Sequence, residues 1–162
     1  MRHVAQLNVA KMKAPLDDAR MAGFVELLEP TNALADSWPG FVWRLQTDDG
    51  DATAIRAFDD ELMLVNMSVW ESVEALGEFV YRSGHLDVMR RRREWAEHIA
   101  EAHLCLWWIE VGTTPTVEEA KERLHHLRSH GPTPKAFTFK RQFPADSDAR
   151  SVEDDDRWLC PA

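Results

Sequence analysis

Short mixed segments rich in Val, Leu, Trp and Phe alternate along the chain with longer segments of helical period, the signature of a mixed α/β or α+β fold. His3–Ala10 reads as a first strand, followed by a loop through Pro15. Asp17 or Asp18 then caps a helix whose apolar positions Met21, Phe24, Leu28 and Leu34 fall near one face. Pro30 is expected to kink or split that helix. After the turn Trp38-Pro39-Gly40, a strand over Phe41–Thr47 sets Phe41, Trp43 and Leu45 against Val42, Arg44 and Gln46. Asp48–Asp60 reads as a polar hairpin loop, and Leu62–Trp70 as a strand buried on both faces, interrupted only by Asn66 and Ser68.

Ser72 is a good N-cap for the next helix, Ser83-Gly84 breaks it, and a second piece runs from about Leu86 to Ala100. His103–Val111 is the fourth strand. Thr116 and Glu119 have the capping-box spacing that opens a helix with Val117, Ala120, Leu124 and Leu127 on its buried stripe. Gly131-Pro132 stops that helix, and a last strand is expected over Ala136–Phe143. The order β-α-β-β-α-β is the split βαβ, ferredoxin-like α+β arrangement, here with an added C-terminal helix and strand. Helices cover one face of such a sheet. The other face is apolar and has no second layer in this reading, so a homodimer packing sheet against sheet is expected.

The chain is 162 residues long, 44% hydrophobic and 29% charged, which suits one folded domain over residues 1–143. Its 19 basic and 28 acidic residues give a net charge of −9, a sign that disfavours nucleic acid and anionic lipid as partners. The excess is uneven, because six carboxylates and two arginines fall within residues 145–162. Residues 144–162 are accordingly expected to be an acidic, mobile extension. Cys105 and Cys160 are too few for a disulfide framework. No run approaches the roughly 20 apolar residues of a membrane span, and the first eight residues lack a signal-peptide core. A cytoplasmic protein with no membrane contact is the resulting expectation.

Seven Trp and seven Phe stand against a single Tyr, Tyr81, so the indoles either fill a core or wall a pocket. Asn66, Ser68 and Trp70 share one face of their strand, and a buried Asn costs a few kcal/mol unless its amide finds partners. It either satisfies a local polar group or holds an oxygen of a ligand. Asn8 shares a face with Val4, Gln6 and Ala10 in the first strand. The first and third strands are neighbours in a split βαβ sheet, which brings Asn8 and Asn66 together. His85, near neutrality in pKa, is a candidate base or ligand at a helix start. Four consecutive arginines, Arg90 to Arg93, sweep a full helical turn; most face solvent, and Arg90 or Arg93 is a candidate to bind an anionic substrate. Adjacent His125 and His126 diverge by about 100° on a helix and no CxxC spacing exists, so no metal site is expected. Neither a GxGxxG, a P-loop nor a GxSxG is present.

The segment Asn66-Met67-Ser68-Val69-Trp70-Glu71-Ser72, at the end of the third strand before a helix, resembles the antibiotic-biosynthesis monooxygenases of the dimeric α/β-barrel superfamily. His3-Val4-Ala5-Gln6-Leu7-Asn8, Pro39-Gly40-Phe41-Val42-Trp43-Arg44-Leu45 and His130-Gly131-Pro132-Thr133-Pro134 are similar to an uncharacterised bacterial branch of that superfamily. The resemblance implies two ferredoxin-like subunits face to face and oxygenation of small aromatic or enolisable substrates without metal or flavin. It also implies a cavity lined by an Asn and a Trp, here Asn66 and Trp70, with His85 as the third catalytic candidate. Asn8, Trp43, Tyr81, Arg90 and Trp95 are the substrate-binding candidates. The haem-degrading members keep an Asn in the first strand, as Asn8 does, but their axial His falls where this chain has Arg90. The alternatives are a non-catalytic small-molecule or haem-binding protein, or an isomerase or cyclase of the same superfamily.

Overall fold

The computed structural model describes residues 1–146. Four strands, β1 (Arg2–Lys11), β2 (Phe41–Arg44), β3 (Met63–Trp70) and β4 (Leu104–Glu110), form one antiparallel sheet in the order β2-β3-β1-β4. This is the ferredoxin-like order, with β1 and β3 at the centre. A 3-10 turn over Ala19–Met21 leads into helix α1 (Ala22–Asp36), α2 (Val73–Arg82) and α3 (His85–Trp95) follow β3, and α4 (Val117–His130) follows β4.

Local chemistry explains most of these boundaries. Asp18 accepts a hydrogen bond from the Arg20 amide at 2.9 Å, Ser72 from Ala75 at 3.0 Å, and Thr116 from Glu119 at 3.1 Å, each satisfying an amide left over at a helix start. Gly131 closes α4 at φ 72°, its N–H donating to the Leu127 carbonyl at 2.9 Å. Pro30 does not split α1. It is exposed, as is Glu26, so the carbonyl that loses its donor lies on the solvent side. Helix α3 stops at Trp95, short of Ala100, because the chain turns there to bond with the end of β1: Lys13 donates to the Trp95 carbonyl and Glu97 to the Lys11 carbonyl, both at 2.8 Å.

Three buried clusters surround the sheet. On one face Val4, Trp70, Leu106 and Phe137 pack under α2, and farther along Met12, Leu64 and Trp95 pack under α1 and α3. On the opposite face Leu7, Met67 and Trp107 pack under Ala120, Leu124 and Leu127 of α4, with Ile55 and Phe58 of the long loop beside them. That second layer corrects the expectation of a bare face. It comes from this same chain, through Ala120, Leu124 and Leu127 of α4.

Two further segments depart from expectation. The last strand over 136–143 is reduced to two isolated bridges, Ala136 with Thr133 and Phe137 with Leu106, the latter pair exchanging backbone hydrogen bonds of 2.9 and 2.8 Å before the chain turns at Thr138–Arg141. Phe137, Phe139 and Phe143 are nevertheless all buried, anchored individually. Strand β2 carries an irregularity between Phe41 and Trp43, so Phe41 pairs with Trp70 while Trp43 pairs with Val69. One extra residue in a strand turns the residues after it to the other face. Most of the acidic extension lies outside the described residues. No helix among the described residues is long and apolar enough to cross a membrane.

Candidate functional site

The central pair of strands places Asn8 directly opposite Asn66, on the face that α1 to α3 cover. On either side in the same register, Gln6 faces Ser68 and Ala10 faces Leu64. Polar side chains therefore occupy the middle of a face whose two ends are apolar. Gln6 and Ser68 are buried, Asn8 is half-buried, and Asn66 is exposed although Leu64, Val65, Met67 and Ser68 around it in β3 are buried. The β2 pairing with β3 ends at Ser68, so Asn66 stands where the sheet has lost that neighbour, exposed between the two apolar clusters. We call this place the amide cleft.

The side chains at its floor are bonded to one another. Gln6 Nε2 donates to Asn66 Oδ1 at 2.6 Å and to Ser68 Oγ at 3.0 Å, and Trp70 Nε1 donates to the same Ser68 Oγ at 2.8 Å. These bonds explain how an otherwise apolar strand carries two polar residues, since each buried polar group has a partner. The Asn8 side chain makes no hydrogen bond among the described residues. Chemically, the cleft offers neutral amides at its surface and no charge of its own in this row, an arrangement suited to orienting an oxygen of a ligand by fixed dipoles.

The structure gathers some candidates and separates others. Trp70 is in the row but 1% exposed: its ring stacks on Phe79 at 5.1 Å between centroids and meets Phe41 edge-on at 5.4 Å. His85, the first residue of α3, lies on the far side of the same stack, 5.0 Å from the Phe79 ring. Its Nδ1 is buried with no hydrogen-bond partner among the described residues. Burial pushes the His85 pKa down, only partly offset by a hydrogen bond to the Val80 backbone. Coordination of a haem iron through this sealed nitrogen would require opening the α2–α3 junction, so the residues present do not fit a haem there.

The remaining candidates sit elsewhere. The β2 irregularity turns Trp43 to the α4 face of the sheet. Tyr81 packs edge-on against Phe139 at 5.4 Å. Trp95 is a 3% exposed core residue against Phe24, with the Arg91 guanidinium 4.8 Å above its ring. Arg90 is exposed and ion-paired to Asp87 at 3.5 Å, and Arg91, Arg92 and Arg93 are exposed as well. Trp107 and Trp108 do point to opposite faces, the first bonding Glu119 and the second the Phe143 carbonyl.

Two features escaped the sequence reading. Gln6 and Ser68 stand in the row as full members, although their facing was apparent from the alternation. The expectation that the chain has no HxxxH spacing was wrong: His126 and His130 are four apart on α4, and their rings stack at 4.4 Å. Among the described residues, no group of three or more His, Cys, Asp or Glu is placed to hold a metal ion. A separate cavity of about 340 Å³ opens at the ends of β1 and β3, with Met12, Leu16 and Leu64 in its wall, and another of about 400 Å³ lies along α4 by Phe58 and His125.

The pattern described as a domain of unknown function (DUF3291) matches residues 3–153, nearly the full chain. The chain belongs to the DUF3291 family. A mutant of SnoaB, a cofactor-independent oxygenase from Streptomyces nogalater, is a similar solved structure at 18% identity and TM-score 0.46, covering 69% of this chain and 95% of that one. Comparison with curated proteins returns no match. Within the DUF3291 member described here, the match takes in β1 but for Arg2, the other three strands and α1 to α4, so Asn8 and Asn66 lie inside the family domain.

Proposed function

We propose that the protein is a cofactor-independent monooxygenase-like enzyme of the dimeric α/β-barrel superfamily, acting on a small aromatic or enolisable substrate in the amide cleft. The observation that carries this reading is Asn66, exposed at the middle of a central strand and directly opposite Asn8. Water is the alternative tenant of such an opening, but a lone structural water does not require two facing amides, one of them free of internal bonds.

In this reading a phenolic substrate lies over the sheet with its oxygen against the Asn66 and Asn8 amides. Those dipoles favour the deprotonated phenol, the proton leaving to water. The electron-rich ring carbon gives electrons to dioxygen and a carbon–hydroperoxide forms; loss of water from it leaves a quinone carbonyl, so one oxygen atom enters the product and the other leaves as water. His85 is not joined to the row by any hydrogen bond among the described residues, and in this scheme it shapes the stack behind Trp70. The proposal includes a homodimer, whose contact surface would take in the α4 layer that packs on the sheet.

Oxygen uptake with 1,5-dihydroxynaphthalene under air tests the reading. The wild type should consume oxygen above background, and Asn66→Ala should lower kcat about 100-fold, the cost of losing one oriented dipole at a developing oxyanion. Equal rates in the two proteins, with Asn66→Ala folded, would contradict it.

A further inference from the structure

Trp70 has one polar atom, the indole N–H, and it is spent on Ser68 Oγ at 2.8 Å. The rest of the ring is enclosed by Phe79 and Phe41 and is 1% exposed. A side chain sealed in this way cannot touch a ligand in the cleft. It can act only through what it holds, and the hydrogen bonds run in one line from Trp70 through Ser68 and Gln6 to Asn66.

We propose that Gln6, Ser68 and Trp70 are positioning residues that hold the Asn66 amide with its NH2 group turned into the cleft, so that the site selects a substrate oxygen that accepts hydrogen bonds: a phenolate, enolate or carbonyl. The donor count leads to this polarity. Gln6 Nε2 has two protons; one goes to Asn66 Oδ1 and the other to Ser68 Oγ. Asn66 Oδ1 is thereby engaged on the inner side, and the Asn66 Nδ2 protons are what the exposed side chain has left to offer. The substrate orientation rests on the oxygenase reading above; the line of hydrogen bonds does not.

Side-chain amide NMR on the full chain tests both parts. In the wild type the two Gln6 Nε2 protons should exchange with solvent about tenfold more slowly than those of an exposed glutamine, since two bonds must open first. Trp70→Phe keeps an aromatic ring on Phe79 but removes the N–H, and Ser68→Ala removes the shared oxygen. Each should raise Gln6 exchange about fivefold or more and shift the Asn66 Nδ2 resonances with the backbone spectrum otherwise preserved. Ser68→Thr, which keeps the hydroxyl, should restore the wild-type values. Should Trp70→Phe fail to fold, Ser68→Ala alone decides the matter.

Gln6 exchanging as an exposed glutamine in the wild type, or Asn66 resonances indifferent to Ser68→Ala, would overturn the positioning line. Addition of 1,5-dihydroxynaphthalene separates the two claims. Slow Gln6 exchange with no response at Asn66 overturns the oxygenase reading and the substrate orientation together, whereas a response at Asn66 with fast Gln6 exchange overturns the positioning line alone.

Discussion

Asn66 and His85 show how differently two polar side chains in one apolar neighbourhood can be treated. Asn66 keeps one side of its amide bonded to Gln6 and the other open, so it costs little and remains available. His85 has a ring nitrogen with no partner, and its burial favours the neutral form. The sign of the linkage is set by that burial: the unfolded chain takes up a proton near pH 6.5 while the folded chain resists it, so this stabilisation is full above that pH and is lost as pH falls through the lower folded value. The melting temperature should therefore fall between pH 7.5 and pH 5.5, and His85→Phe should make that fall shallower. His126, whose pKa is lowered first by partial burial and then by the charges of His130, Lys135, Arg123 and His125, contributes with the same sign in both proteins. The difference between the two melting curves thus isolates His85; parallel pH profiles would refute the assignment. At this scale the sequence was informative where alternation governs, as for the shared face of Asn66, Ser68 and Trp70. It was silent on Trp70 as a sealed ring, because the Phe79 and Phe41 rings that enclose it arrive from α2 and β2.

At the level of elements, the turns do as much as the strands to set the site. Gly40 joins α1 to β2 at φ 83°, and a Cβ there would meet Ala75 Cβ of α2 at 2.6 Å. This close approach holds α2 against the β2 edge and so places Phe79 over Trp70. Gly112 has nearly the same φ, 85°, but open space around it. Gly40→Ala should cost about 2–4 kcal/mol from strain plus overlap, and Gly112→Ala about 1 kcal/mol from strain alone, by chemical denaturation. Similar costs at the two positions would mean that the α2 contact is not as tight as described. Helix starts were legible through Ser72 and Thr116, since capping is a local interaction between neighbours in sequence. The β2 irregularity was not, because the strict alternation of Phe41, Trp43 and Leu45 gives no sign of an added residue in the pairing. That single shift moved Trp43 from the proposed pocket to the opposite face. The strand expected over 136–143 failed for a related reason: Phe137, Phe139 and Phe143 have strand spacing, yet each is buried separately around a turn.

For the whole molecule, the decisive element is α4. The ferredoxin-like order was readable from the succession of elements, and so was the apolar character of both sheet faces. What the succession could not reveal is that the helix after β4 folds back to cover the second face, as its buried stripe Ala120, Leu124 and Leu127 does over Trp107 and Met67. Leu124 is 1% exposed, and Leu124→Ala should cost about 3 kcal/mol by denaturant unfolding while leaving the Asn66 side-chain amide signals in place. A near-neutral Leu124→Ala would indicate that α4 is not the covering layer. With that face closed, the chain keeps its opening on the side of α1 to α3, over Asn8 and Asn66. The most direct test of that claim is titration of the isotopically labelled protein with 1,5-dihydroxynaphthalene, followed through the Asn side-chain amide signals. The account predicts that Asn8 and Asn66 respond together and saturably, with the α4 amides unmoved. Responses confined to the cavity by Met12 and Leu64, or to the α4 surface by Phe58 and His125, would contradict it.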